Sequence, residues 1–285
     1  MKLPPLEYVC PTSLSEAVAL LASRDGDAKA IAGGQSLMPM LAFRIAAPTL
    51  LVDLRKLPNM REIKIGADGV RLGAMVRWRD IDKDARLASA HPLLKAAVAH
   101  VAHYQIRNRG TIGGSIAHAD PAAEIPGIVV ACDAEIAVTG KSGSRVIAAA
   151  DFFQGVMTTD LRPDEIITEI RFPAWPARRR WGFQEFARRR GDFAMAGAAL
   201  FYDEDAAGSV INAHVGIIGV GDRPRRLPQV EAVLNGRAID EATIARAAEA
   251  TSSSVEAQED IHASAAYRRA LAGIMVERAL LSASR

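Results

Sequence analysis

Two paired-glycine segments are the places in this chain best suited to hold an anion. Gly33-Gly34 leads into Gln35-Ser36, and Gly113-Gly114 leads into Ser115. Where no Cβ holds the chain away, backbone N–H groups can close on a diphosphate of the kind a dinucleotide carries. The first pair falls between a predicted strand and a predicted helix start, where unpaired N–H groups and the helix dipole favour negative charge, and Ser36 adds a hydroxyl donor. The second pair offers a further cradle of the same chemistry. Either pair alone also fits an ordinary turn in a chain with 22 glycines. Other phosphate and nucleophile motifs are missing. Gly219-Val220-Gly221 begins a dinucleotide fingerprint, but Pro224 occupies the third glycine's place and no helix opens there. No Lys-Ser or Lys-Thr follows a glycine loop, and Gly34-Gln35-Ser36 lacks the closing glycine of a nucleophile elbow. Nicotinamide Rossmann, kinase, ATPase and serine hydrolase readings all lose support.

The remaining reactive side chains read as structural. Cys10 and Cys132 are far apart and lack the close Cys or His companions that zinc or iron–sulfur sites need, so no cluster and no metal site is expected, and two lone thiols suit a reducing compartment. His100 and His103 have helical spacing but no third ligand nearby. His118 falls in the second glycine segment, where backbone contact or contact through a neighbouring group is expected rather than proton transfer. The arginine runs 178–180 and 188–190 read as solvated faces with partner docking as the alternative. Trp78, Trp175 and Trp181 read as packing, and Arg268 as a structural salt bridge. With 35 Lys and Arg against 33 Asp and Glu, net charge points to no nucleic-acid partner. The N-terminal residues lack the basic and apolar runs of a secretory signal, and no apolar stretch reaches membrane-spanning length, so a cytoplasmic protein is expected.

The elements that must position these residues follow from periodicity and punctuation. Ser13-Leu14-Ser15-Glu16 has the form of a capping box, starting a helix that runs to about Arg24. Strands are predicted at 28–32 and 50–53, a helical turn at 37–43, and a hairpin of 63–65 with 70–72. Residues 78–104 are helical in pattern, 109–115 form a second break, and 121–124 are read as a helix start with proline in its first turn. Strands at 135–138, 145–147 and 166–172 precede Pro173-Ala174-Trp175-Pro176, the predicted domain boundary. Beyond it strands at 181–187, 196–202 and 211–220 come first. Helices near 229, over 241–250 and over 265–283 follow, an α+β arrangement.

The full wording of the glycine segments says more than their glycines. Ala32-Gly33-Gly34-Gln35-Ser36-Leu37-Met38-Pro39-Met40-Leu41, and the stretch from Gln105 through Arg109-Gly110-Thr111-Ile112-Gly113-Gly114-Ser115-Ile116-Ala117-His118-Ala119-Asp120-Pro121-Ala122-Ala123 to Glu124, closely resemble the two FAD signatures of molybdenum hydroxylase flavin subunits. The resemblance continues through Leu161-Arg162-Pro163-Asp164-Glu165, Arg190-Gly191-Asp192-Phe193-Ala194 and Ala263-Ser264-Ala265-Ala266-Tyr267-Arg268-Arg269, and spans essentially the whole chain.

The resemblance implies an α+β protein. A two-lobed FAD-binding domain of the vanillyl-alcohol oxidase (PCMH) type over 1–176 is followed by a smaller α+β domain, a three-stranded sheet plus helices, over 177–285. It implies FAD contacts at Ala32, Gly33, Gly34, Gln35, Ser36 and Leu37, at Thr111, Ile112, Gly113, Gly114, Ser115 and Ala117, and at Asp120, Glu124, Leu161 and Phe193, with no catalytic side chain. Phe193 stands where relatives often carry tyrosine beside the isoalloxazine. Gln35 stands where several have histidine, and no lysine occurs near Gln184 or Glu185, where many place one close to the flavin. The implied partners are an iron–sulfur small subunit and a molybdenum-cofactor large subunit, in a dimer of heterotrimers. The competing expectations are a self-contained flavin oxidase or reductase of the same fold, and a flavin-free scaffold.

Overall fold

The computed structural model describes residues 3–283. Met1 and Lys2, which open the N-terminal segment read above for a signal, lie outside the described residues. A small parallel sheet begins the fold. It comprises β1 (Glu7–Val9), β2 (Ala28–Ile31) and β3 (Leu50–Asp53) in the order β1-β3-β2. Helix α1 (Leu14–Ala22) links the first two strands, capped by Ser13, whose hydroxyl accepts from the Glu16 N–H. Parallel pairing needs such a crossover. It also leaves the carboxyl end of β2 free to run through Gly33-Gly34 into α2 (Leu37–Ala42).

A five-stranded antiparallel sheet forms the second lobe: β4 (Ile63–Gly66), β5 (Gly69–Gly73), β6 (Glu135–Gly140), β7 (Gly143–Ala148) and β10 (Ile166–Pro173), in the order β4-β5-β10-β6-β7. A short hairpin, β8 (Phe153–Gly155) with β9 (Thr158–Thr159), precedes β10. The helical pattern over 78–104 does not give one helix. It breaks into α3 (Trp78–Lys83), α4 (Leu87–Ala90), α5 (Pro92–Val98) and α6 (Tyr104–Arg107). Asp84 leaves α3 in an extended conformation, Pro92 starts α5 because it has no N–H to continue α4, and Ala102 turns left-handed at φ 40°. Apolar spacing alone carries none of those breaks.

Two further expectations need correction. The second glycine segment is not a loop, because Ile112–His118 is a helix, α7, capped by Thr111, whose hydroxyl accepts the Gly114 N–H at 3.2 Å. Pro121 is not in the first turn of the next helix, since α8 is Glu124–Ala131. Residues 120–123 instead form a turn in which Asp120 Oδ1 accepts the Ala122 N–H at 2.9 Å. Helix α9 (Ala149–Phe152) follows β7.

The C-terminal sheet has three long antiparallel strands, β11 (Arg180–Phe186), β12 (Ala196–Glu204) and β13 (Val210–Ile218), with two-residue β14 (Arg225–Arg226) added at the edge. Period-two alternation gives this sheet two buried faces. Ala196, Ala198, Leu200 and Tyr202 pack under α10 (Pro228–Leu234), α11 (Glu241–Ser254) and α12 (Ala265–Ala283), whereas Phe183, Ala199, Phe201 and Ile218 join the core of the first two lobes. The seam between the halves is therefore continuous hydrophobic core. Arg179 belongs to this seam and is no solvated charge. It pairs with Asp203 at 2.8 Å and lies over the Phe201 ring at 4.3 Å. His91 is enclosed beside Phe172 and Trp175, and burial drives its imidazole down to about 3. Its Nδ1 accepts the Leu94 N–H, so neutral His91 serves as the cap of α5.

Candidate functional site

A cavity of about 1110 Å³ opens where the two lobes and the C-terminal sheet meet, at the upper end of ordinary cofactor sites. Both glycine segments face it, and they touch each other. A Cβ placed on Gly33 would fall 2.3 Å from the Arg109 carbonyl oxygen and 2.8 Å from Gly110 Cα, and one on Gly114 would reach Ala32 Cβ at 3.5 Å. Only glycine at 33 permits this approach. Gly34 is needed for a different reason, its left-handed φ of 71°, which turns the chain from β2 into α2.

The two segments differ in what they offer an anion. Among the described residues, the N–H groups of Gly33, Gly34, Gln35 and Ser36 donate to no other protein group. The second segment's N–H groups are occupied. Ile112 donates to Val76 O at 2.9 Å, Gly113 to Ala74 O at 2.9 Å, Gly114 to Thr111 Oγ1, and Ser115 to Thr111 O at 3.1 Å. The expected second cradle of free N–H groups is thus a capped helix start. Gly113 is small because α7 packs on the end of β5, where an added Cβ would lie 2.5 Å from Ala74 Cβ. The Thr-x-x-Gly spacing carried that information, since a threonine three residues before an N–H is a cap.

Every residue expected to contact FAD lines this cavity except Ile112, whose side chain is fully buried in the core. Phe193 stands at the rim, 69% exposed. Leu161 lines the cavity with its N–H already given to Thr159 Oγ1 at 3.3 Å. Glu124 opens α8 and is buried against the cavity. Burial, opposed by its own backbone N–H and reinforced by the Asp120 charge, raises its carboxyl to about 7. The sequence reading took Trp78 as packing and Arg268 as a structural salt bridge, and the Arg268–Asp260 pair is present. Trp78 lines the cavity beside Gly110 of the second segment, and a strap in which Arg268 binds Met195 O, Gly219 O and Asp260 also borders it. An arginine on a helix gave no sign that it would reach back to two strand ends.

These features fit a dinucleotide. Four free N–H groups and the Ser36 hydroxyl suit a diphosphate, the glycine-only contact brings backbone close, and a cavity of this size accepts a flavin ring system beside it.

Residues 4–175 match the family described as the FAD binding domain in molybdopterin dehydrogenase, and residues 181–283 match the CO dehydrogenase flavoprotein C-terminal domain. The chain belongs to the FAD-binding medium-subunit family of the molybdenum hydroxylases, and its cofactor is FAD. It is 39% identical to the nicotine 6-hydroxylase medium subunit of Paenarthrobacter nicotinovorans, over 99% of each chain. It is 36% identical to the carbon monoxide dehydrogenase medium chain of Hydrogenophaga pseudoflava, over 98% of this chain and 97% of that one. The solved carbon monoxide dehydrogenase of that organism superposes with a TM-score of 0.96 at 38% identity, covering 100% of this chain and 99% of that one. Quinoline 2-oxidoreductase from Pseudomonas putida gives 0.94 at 39% identity, covering 100% and 98%.

Removing the α7 cap tests whether the second segment acts through its helix. In Thr111→Val, the Gly114 N–H loses its acceptor, which is expected to lower stability by about 1 kcal/mol. FAD affinity should fall no more than a few-fold, read by thermal melting beside FAD titration. A large loss of affinity without loss of stability would instead make the Thr111 hydroxyl a direct ligand.

Proposed function

We propose that this chain is the electron-transferring subunit of a three-component molybdenum hydroxylase. It collects electrons from an iron–sulfur small subunit, which draws them from a molybdenum-cofactor large subunit, and passes them to an external acceptor. The observation that carries the reading is the single cavity on which the Gly33-Gly34 segment, the Thr111–Ser115 helix start and the C-terminal strands converge. Bound FAD takes up electrons singly and releases them in pairs, and the protein supplies its seat and electrostatics. In this reading the free N–H groups of residues 33–36 and the Ser36 hydroxyl hold the diphosphate, assisted by Gln35, Leu37, Thr111, Gly113, Gly114, Ser115 and Ala117. Asp120, Glu124, Leu161 and Phe193 address the remainder, while Ile112 supports the site from the core. No side chain acts as acid, base or nucleophile toward the hydroxylase substrate.

The chain then divides into an FAD-binding unit over 1–176 and a C-terminal unit over 177–285, assembled as a dimer of heterotrimers in the cytoplasm. Among the described residues no helix is long and apolar enough to cross a membrane. Affinity-tagged chain purified from its native host is expected to bring down one partner rich in iron–sulfur cysteines and one large partner. Its flavin should be reduced by substrate only when both are present. Rapid anaerobic reduction of the isolated chain by a small molecule would replace this reading with a self-contained flavin oxidoreductase.

A further inference from the structure

The cavity wall beside the second glycine segment carries a donor that the functional reading leaves unassigned, the indole N–H of Trp78. Residues 76–78 run antiparallel along 110–112. The Ile112 N–H donates to Val76 O at 2.9 Å, Arg77 bridges Thr111, and the Trp78 backbone N–H donates to Gly110 O at 3.2 Å. This ladder fixes the start of α3, and with it the indole, against Gly110. A Cβ on Gly110 would fall 2.7 Å from Trp78 Nε1 and 3.0 Å from its Cδ1. The indole edge thus passes where a side chain at 110 would stand, and glycine leaves it that path. Gly110 is also where the first segment closes, since a Cβ on Gly33 would lie 2.8 Å from Gly110 Cα. The indole edge and the Gly33-Gly34 segment therefore flank the same residue of the cavity wall.

Packing accounts for the ring carbons of Trp78 but not for its nitrogen. The residue is 3% exposed and belongs to the main core, yet it lines the cavity. Among the described residues its Nε1–H donates to no protein group. Nor is it sealed away, as the unpartnered Glu185 Oε2, Tyr202 Oη and Arg268 Nε are. An acceptor held in the cavity can reach it. Buried indole N–H groups ordinarily find a partner, and one left unpaired costs about 1–3 kcal/mol. The backbone N–H groups of residues 112–115 are spent within the protein, so this side of the cavity has none of them to give an anion.

We propose that the Trp78 indole N–H is a ligand of the FAD diphosphate, donating to a phosphate oxygen beside Gly110 and completing the donor set begun by the N–H groups of residues 33–36. Trp78 is a binding residue and takes no part in moving electrons. This assignment rests on the reading that residues 33–36 seat the diphosphate.

Benzothienylalanine at position 78 keeps the shape of the ring and puts sulfur in place of the N–H. The full-length chain carrying it is expected to melt with wild type in the absence of FAD. It should bind FAD about tenfold more weakly, the effect of one hydrogen bond to a charged acceptor. Trp78→Phe should lose the same affinity and also melt lower, because it withdraws ring carbons from the core. In proton NMR, the Trp78 indole signal, identified by its loss in Trp78→Phe, should move downfield when FAD binds. In phosphorus NMR, one signal of bound FAD should differ between wild type and the isostere.

Unchanged FAD affinity in the isostere overturns the proposal, and so does an indole signal that stays in place on FAD binding. An indole that moves while both phosphorus signals stay put overturns the assignment to the diphosphate. Wild type decides the matter even if the variants fail to fold, since one of its three indole signals must move downfield with FAD. Failure of the seat at residues 33–36 reads differently. Gly33→Ala would then bind FAD as wild type does, while the indole and phosphorus signals still decide the Trp78 contact.

Discussion

Gly33→Ala is expected to weaken FAD binding by about 100-fold, the loss of nearly 3 kcal/mol at 1.4 kcal/mol per tenfold. The new methyl would stand 2.3 Å from the Arg109 carbonyl oxygen, about 1 Å inside ordinary contact. Its neighbours are backbone atoms, and they cannot rotate out of the way. The two glycine segments must part, and the N–H groups of 33–36 then lose their common focus. Gly34→Ala is the comparison. There the strain comes from φ of 71°, about 1 kcal/mol, and the nearest atoms are side-chain carbons, Met38 Cγ and Ile31 Cδ1, at 3.2 and 3.3 Å. Fluorescence titration with FAD should therefore rank wild type above Gly34→Ala and Gly34→Ala above Gly33→Ala. If Gly33→Ala binds FAD as wild type does, contact between the segments has no part in seating the cofactor.

The contrast between these glycines marks where sequence reasoning stops. The order strand, glycine pair, helix start around residue 33 was visible, because β2 and α2 are set by local apolar pattern and a turn that only glycine makes easily. The second pair looked chemically equivalent, yet its N–H groups are spent on Ala74, Val76 and Thr111. That difference depends on β5 lying beneath α7, a contact between residues more than thirty positions apart. Similarly, the helical period over 78–104 was real, but the chain turns at Asp84, Pro92 and Ala102 to wrap α3 and α5 against the core. Long-range packing also decides the two faces of β11. Resemblance to the flavin subunits located the cofactor; the reach of Arg268 to Met195 O and Gly219 O had to come from three-dimensional placement.

The strap is where the C-terminal half should be most sensitive. Arg268 is almost fully buried on α12, and its guanidinium donates to Met195 O at 2.9 Å, Gly219 O at 2.6 Å and Asp260 at 2.7 Å. It ties the start of β12 to the end of β13 and to the 258–263 loop. Asp260 is set to receive it. Although burial works against its charge, the N–H groups of His262 and Ala263 and the Arg268 guanidinium hold its carboxyl at about 2. That contribution is therefore present at neutral pH and fades only as pH falls toward about 2.

Arg268→Met keeps most of the stem and removes the fork, leaving two strand-end carbonyls without their donor. At roughly 1–3 kcal/mol for each buried acceptor, a loss of about 3 kcal/mol is expected, a fall of about 8 °C in melting temperature. Lysine cannot span all three acceptors, so Arg268→Lys should recover only part of it. Asp260→Asn leaves both carbonyls paired and should cost much less. Because Arg268, Asp260 and Gly219 all border the cavity, the methionine variant should also release FAD several times faster, scored by flavin fluorescence after dilution. Equal melting temperatures for Arg268→Met and wild type would show that the strand ends are held by the sheet alone, and the strap would lose its place in the architecture of the site.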